Sequence, residues 1–311
     1  MKATLSPVIS HIVQGTIAAA ASAEKLNRGI KRYKRMLQFA KGAVHIAEIE
    51  FGIADMMITR DDPYDWREAA RLYNDILERT PYGLLRGAAM AGKAELVIRK
   101  SDKAEIAEAI ELAGQAFVML KQFMGEQDFF SLKALVVEAE LRLKRNAKGD
   151  GARAIALFER AVKNGKDHPY WQARAMIGVA EIQPSKTTAA RIALCQKAMQ
   201  LLEDRPHDYF YLKARLLECE LRYRRGTTSD KKYAYPSLAK VAQDGADFIS
   251  LKVRALLGMA EHTSRATALS LIQKVKETDD LEPHFYDRAQ ALETALTAPK
   301  GKPASAGKKS K

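Results

Sequence analysis

Apolar residues recur at helical spacing along most of this chain. In Ala154-Ile155-Ala156-Leu157-Phe158-Glu159-Arg160-Ala161 they fall at i, i+1, i+3, i+4 and i+7, which makes one stripe on a helix. The stripe returns at Ala109–Ala116, Arg191–Ala198 and Ala268–Val275. Between these segments lie others that carry a small or apolar residue followed by Glu: Ile49-Glu50, Ala94-Glu95, Ala139-Glu140, Ala180-Glu181, Cys219-Glu220 and Ala260-Glu261. The glutamates are spaced by about 45, 45, 41, 39 and 41 residues, the range of helical-hairpin repeats. No strand-like alternation of period two stands out. The pattern predicts a two-helix unit written six times, each unit burying its apolar face on the next.

The joints between units carry their own signals. First helices are preceded by cap or breaker residues and open with an aromatic, as in Thr80-Pro81-Tyr82, Asp128-Phe129, His168-Pro169-Tyr170, Asp208-Tyr209, Asp247-Phe248 and Pro283-His284-Phe285. Asp or Thr caps the free N–H groups of a helix start, and Pro suits the first turn. Gly149-Asp150-Gly151, Pro184-Ser185, Gly226-Thr227-Thr228-Ser229 and Thr263-Ser264 break the chain within units. Similarity is strongest at double the period. Phe129–Ala134 with Glu138–Arg142 matches Tyr209–Ala214 with Glu218–Arg222, and Arg174–Glu181 matches Arg254–Glu261, both about 80 residues apart. Pairs of units read as duplicated together.

Ile177-Gly178-Val179-Ala180 resembles the Leu-Gly-x-Ala of the first helix of the tetratricopeptide repeat (TPR) family. Ala154-Ile155 through Ala161 resembles that family's second-helix Ala-x-x-x-Phe-x-x-Ala. The resemblance covers residues 44 to 280. Units are nearer 40 than 34 residues, Gly stands in three of the six first helices, and Glu replaces the usual Tyr at the end of the motif. The resemblance implies an all-α fold, a right-handed α-solenoid of about six TPR-like helix-turn-helix repeats. Residues 1–43 form an N-terminal helical segment or cap, 44–280 the solenoid, 281–298 a C-terminal capping helix and 299–311 a disordered basic tail.

Composition narrows the picture. The 311 residues are 47% hydrophobic, enough for a substantial core, and only 7% aromatic, as expected where Ala and Leu pack helices. Cys195 and Cys219 occupy packing columns and read as buried reduced thiols. Met1-Lys2, a mildly apolar stretch and Ala21-Ser22-Ala23 have the form of a signal peptide, but Ser6, Pro7, Ser10, His11 and Gln14 interrupt it. We expect an Ala-rich packing helix and a cytoplasmic protein, with export to the periplasm the alternative if residues 1–23 are cleaved. No stretch reaches the roughly 18 apolar residues of a membrane span.

The formal net charge is +13, and Lys300, Lys302, Lys308, Lys309 and Lys311 of the tail contribute five of those charges. A second basic run supplies Arg28, Lys31, Arg32 and Arg35, which share one helix face with Tyr33 nearby and are nucleic-acid candidates. Seven residues before the Glu, four units carry Lys133, Arg174, Lys213 and Arg254, opposite Glu140, Glu181, Glu220 and Glu261. Positions i and i+7 lie on nearly one side of a helix, so stacked first helices carry parallel basic and acidic ladders. Two roles stand open for them: staples between units, or the lining of a groove that clamps a partner protein or peptide. His168, His207 and His284 sit in the turns before first helices, where they can help cap. No Gly-rich phosphate loop, His-Glu-x-x-His motif or nucleophile elbow is present, and no Cys/His spacing fits a metal. We expect a non-enzymatic protein–protein interaction scaffold without cofactor or metal. The alternative is an RNA- or DNA-associated repeat protein using the basic N-terminal helix and the Lys tail.

Overall fold

The computed structural model describes residues 23–60, 62–80, 83–100, 103–183, 186–279 and 281–298. The expected N-terminal packing helix near Ser6-Pro7 and the tail 299–311 lie outside these residues. Every regular element described is helical: α1 (Ala23–Leu37), α2 (Ala43–Arg60), α3 (Trp66–Arg79), α4 (Leu84–Lys100), α5 (Lys103–Met124), α6 (Phe129–Arg145), α7 (Asp150–Asn164), α8 (Pro169–Ile182), α9 (Thr188–Leu201), α10 (Tyr209–Arg225), α11 (Thr228–Asp244), α12 (Ile249–Ala260), α13 (Arg265–Lys276) and α14 (Pro283–Thr297). Two compact units divide the chain, one ending at Ala214 and the other beginning at Arg215.

In the first unit each helix from α1 to α8 packs on its successor, and α2, α4, α6 and α8 also touch one another in turn. This places the even-numbered helices between neighbours on several sides. Their sequences show it: α2 is buried continuously from Ala47 to Ile58, and α8 from Trp171 to Ala180. The odd-numbered helices bury a single stripe, such as Ala69, Leu72, Tyr73 and Ile76 in α3, or Ala154, Leu157, Phe158 and Ala161 in α7. A helix enclosed all round is apolar all round, whereas a covering helix needs one apolar face. Any charged residue in an even-numbered helix must therefore find a partner.

The second unit repeats the local order. Here α11 packs on α12, α12 on α13 and α13 on α14, and α12 also touches α14. Its core contains Leu238, Val241, Leu257, Ile272 and Val275. Cys195 in the first unit and Cys219 in the second are free, buried thiols. Burial, then Glu218, pushes the Cys219 thiol up to about 12, so it stays protonated.

Of the predicted first-helix caps Asp128 and Asp208 are as read, whereas Thr80 closes α3 as its C-cap and the residue before α12 is Phe248, with no side-chain capping bond from Asp247. The Asp128 carboxylate accepts from the backbone N–H of Phe130 and Ser131, Asp208 accepts from Phe210, and Thr187, Thr227 and Ser264 cap α9, α11 and α13. The histidines do not cap. His168 is the first residue of the α8 joint but its side chain makes no capping bond; the ring instead packs edge-on against Phe129 at 5.8 Å. His207 precedes the capping Asp208, and His284 lies inside α14.

Packing between covering and enclosed helices is complementary in size. A Cβ on Gly178 of α8 would fall 2.5 Å from the Phe158 ring of α7, and one on Gly92 of α4 would fall 2.4 Å from the Tyr73 ring of α3. Glycine is needed at both places because a rigid buried ring fills the space. At the corresponding place on α6 stands Val137, which shares a core cluster with the small Ala113 of α5.

Candidate functional site

The charged residues of the even-numbered helices meet in a chain of ion pairs. In the first unit the Lys133 ammonium lies 3.0 Å from Glu95 Oε2 and 2.5 Å from Asp55 Oδ1. Arg174 grips Glu140 with two bonds, Nε to Oε1 at 2.8 Å and Nη2 to Oε2 at 2.5 Å, and reaches Glu95 Oε1 at 2.6 Å. Lys213 Nζ is 2.9 Å from Glu181 Oε2. In the second unit Arg254 donates to Glu220 at 3.0 Å and Arg288 to Glu261 at 2.6 Å. Each cation thus faces the glutamate of the preceding even-numbered helix. Glu50 is the exception: the expected cation position on α4 holds Ala88, and Arg79 of α3 reaches Glu50 instead.

Burial sets the strength of these contacts. The Lys133 and Arg174 side chains keep 3% and 2% of their surface, against 21% for Lys213 and 26% for Arg254. Burial opposes charge on Lys133, but Asp55 and Glu95 outweigh it and hold the ammonium pKa above its ordinary value. The same balance, with Glu140 and Glu95, lifts Arg174 well above its ordinary value. Burial also opposes charge on Lys213, and Glu181 with Tyr209 and Glu140 overcomes it. Lys133 and Arg174 are therefore permanent interior cations. Their contacts point into the unit, and their side chains leave almost no surface for a partner.

A run of aromatic rings passes beside Arg174 of this cluster. Phe51, Phe130, Phe129, Trp171, Tyr170, Phe210 and Tyr209 follow one another edge to face, with centroids 5.1 to 5.7 Å apart. Each such contact adds about 0.5–1.5 kcal/mol beyond the area it buries. The Arg174 guanidinium stands 5.0 Å from the Trp171 ring and 4.6 Å from the Phe210 ring, so its charge is held by π-faces as well as carboxylates. Trp171 near the start of α8 and Phe210 near the start of α10 thus flank the Arg174 end of the ion cluster. A cavity of about 190 Å³ opens beside them, lined by Phe129, His168, Tyr170, Trp171, Leu202 and Arg205.

Two further networks lie where an even-numbered helix turns into the next. In the first unit Asp150 accepts from Arg145 at 2.6 Å and from the Ala147 N–H at 2.9 Å, while Arg142 bridges Asp150 and Glu138. In the second unit Asp230 accepts from Arg225 at 2.6 Å and from Thr227 Oγ1 at 2.6 Å, and Arg222 bridges Asp230 and Glu218. The Arg145 bond lowers the Asp150 carboxyl to about 2, and the Arg225 and Thr227 bonds hold Asp230 well below the usual carboxylate range. Sequence reasoning took Asp150 only as part of a breaker and passed over Asp230, Arg145 and Arg225. The signal was present, since the spacing Glu138, Arg142, Arg145, Asp150 recurs as Glu218, Arg222, Arg225, Asp230. Asp55 and Arg288 were also missed, because both stand outside the repeating column.

The four nucleic-acid candidates lie elsewhere. Arg28, Lys31, Arg32 and Arg35 are all exposed on α1, and with Met36 and Phe39 they line a surface cavity of about 420 Å³. Half-buried Tyr33 is raised above the ordinary phenol value by burial, with Arg32 acting against it.

No family model matches the chain, and no curated protein matches it. Among the described residues no helix is long and apolar enough to cross a membrane, and no group of three or more His, Cys, Asp or Glu side chains is placed to hold a metal ion.

Proposed function

We propose that this protein is a non-enzymatic scaffold, a TPR-like helical-repeat solenoid of about six helix pairs between α1 and α14, which presents a rigid surface to a partner protein. The observation that carries this reading is the direction of the ion pairs. Glu95, Glu140 and Glu181 are each joined to the cation of the following even-numbered helix, so neighbouring pairs are held in register. Pre-set side chains lose little conformational entropy when a partner binds, which is the advantage of a stacked array. The ladder then works as a staple. The partner is met by outer surfaces, among them the cavity beside Tyr170 and Leu202, whose aromatic and aliphatic lining is edged by Asp167, Asp204 and Arg205.

Affinity capture with quantitative mass spectrometry tests the proposal. Immobilised full-length protein is challenged with extract of the cells that make it, beside the Arg174→Glu/Lys213→Glu variant. We expect the wild type to retain a defined protein in near-stoichiometric amount, and the reversal to lose thermal stability and partner together. Retention of no defined protein by the folded wild type overturns the scaffold. A reversal that loses the partner with an unchanged melt places the ladder in a binding groove instead.

A further inference from the structure

We infer that the outer face of α1 is a binding site for single-stranded nucleic acid. Most strongly placed cations of this chain are tied to carboxylates, as Lys133, Arg174 and Arg145 are. The cations of α1 are arranged differently. Arg28, Lys31, Arg32, Lys34 and Arg35 are exposed, and Lys41 follows them. Glu24 is the one acidic residue of that stretch, and its carboxylate stands 3.7 Å from Arg28. Among the described residues no carboxylate lies within ion-pair reach of Lys31, Arg32 or Arg35. Like charges gathered this closely repel one another, and a polyanion relieves that repulsion.

The geometry selects among polyanions. Arg28, Arg32, Arg35, Met36 and Phe39 follow helical spacing, and the stripe from Arg28 to Phe39 runs roughly 16 Å. Three guanidiniums and Lys31 supply forked and point donors along one line, which suits successive phosphates of a strand. Phe39, 81% exposed, stands at the end of that line where α1 gives way to a turn. An aromatic ring beside a row of cations is the arrangement that stacks an unpaired base while the backbone is tracked. The cavity of about 420 Å³ bounded by these side chains accommodates a group of nucleotide size.

An anionic membrane fits less well. A membrane-surface helix inserts its apolar face, and the apolar face of α1 is already committed: Leu26 and Ile30 are 2% and 6% exposed and belong to the core of the first unit. A duplex also fits less well, because its bases are stacked on one another and leave Phe39 without a role.

Fluorescence anisotropy with full-length protein and labelled oligothymidylate and oligouridylate, over a series of salt concentrations, tests the inference. The variants are Arg28→Gln/Lys31→Gln/Arg32→Gln/Arg35→Gln and, separately, Phe39→Ala. All of these positions are exposed, and circular dichroism checks the fold; Arg32→Glu alone serves if the fourfold variant fails to fold. Each phosphate contact contributes about 0.7 to the salt slope of single-strand binding, so the fourfold variant should flatten the slope by up to about 3. Phe39→Ala should weaken binding about 5- to 150-fold with the slope unchanged. The tail lysines are present in every variant, so the differences report the stripe. Wild-type affinity in the fourfold variant or in Phe39→Ala overturns the inference. So does tighter binding to a duplex of equal length, or to phosphatidylserine vesicles, than to the single strands. Failure here leaves the protein-scaffold reading untouched, since that reading rests on the ion pairs of α4, α6, α8 and α10.

Discussion

Replacing Lys133 by Met probes whether the interior ion cluster is what holds the first unit in register. The cluster sets two cations, Lys133 and Arg174, against Asp55, Glu95 and Glu140. In Lys133→Met, Glu95 and Glu140 keep Arg174. Asp55 loses its cation while its side chain remains only 8% exposed. At an effective dielectric of about 20, a charge pair about 3 Å apart attracts by about 5 kcal/mol. Removing one partner of a buried pair costs about 3–5 kcal/mol, because the remaining charge is left without compensation. We expect urea unfolding followed by circular dichroism to report a loss of that size, and the melting temperature to fall by roughly 10 °C.

The double variant Lys133→Met/Asp55→Leu separates orphaned charge from altered shape. It removes both members of the pair, and Arg174 still meets the two carboxylates that stay. Most of the loss should return, with a residue of about 1–2 kcal/mol from imperfect packing. A single variant that unfolds like wild type, or a double variant as unstable as the single, refutes the reasoning.

Three smaller perturbations follow from the same geometry. Ala180 is fully buried in α8, so Ala180→Leu should overpack and lower stability by about 1–3 kcal/mol in urea titration; an unchanged midpoint would show that the column is not a helix contact. Asp150 is held at about 2 against about 3.9 unfolded, so its contribution is present above about pH 4 and lost as pH falls toward about 2. Asp150→Asn should therefore flatten the acid limb of the stability profile, and an unaltered limb would remove Asp150 as its source. Phe158→Ala should cost about 3–5 kcal/mol, and adding Gly178→Val should recover part of it by refilling the space, whereas Gly178→Val alone should destabilise; additivity of the two in a double-mutant cycle would contradict their contact.

The helices, their joints and the two charged columns were legible in the sequence because each rests on a local rule of spacing or capping. The pairing itself was not. Residues seven apart share a side of one helix, but that spacing does not say whether Lys133 meets Glu140 of its own helix or Glu95 of the preceding one. Stacking decides it, and the structure gives Glu95. Where the column is interrupted, the substitute comes from unrelated positions: Ala88 leaves Glu50 to Arg79 of a covering helix, and Arg288 extends the ladder from α14. Asp55 stands five residues beyond Glu50, where Arg145 and Arg225 stand beyond Glu140 and Glu220, so only the fold reveals that it shares Lys133 with Glu95. The histidine turns misled for a local reason. His168 occupies a capping place, yet the nearby Phe129 ring offers its imidazole an edge-on contact, and its side chain makes no capping bond.

The double period of about 80 residues has a physical cause in the same packing. On α4, α6, α8, α10 and α12 the residue three before the ladder glutamate is Gly92, Val137, Gly178, Leu217 and Gly258, an alternation of glycine with a branched apolar side chain that begins after Ala47 of α2. The covering helix supplies the opposite size. Tyr73 lies over Gly92 and Phe158 over Gly178; Ala113 shares a cluster with Val137; and in the second unit Leu238 approaches the place of a Cβ on Gly258 to 3.2 Å. Large against large would clash, and small against small would leave a cavity, each destabilising by kilocalories. A unit with a large covering residue therefore needs glycine on the enclosed helix it covers, and a unit with a small one, as Ala113 is, takes a branched residue such as Val137 there. One unit copied alone would carry only one half of this alternation, whereas a pair copied together carries both. The size match thus explains why likeness along the chain is greatest between units two apart, and why the charged clamps Glu138–Asp150 and Glu218–Asp230 recur with that same offset.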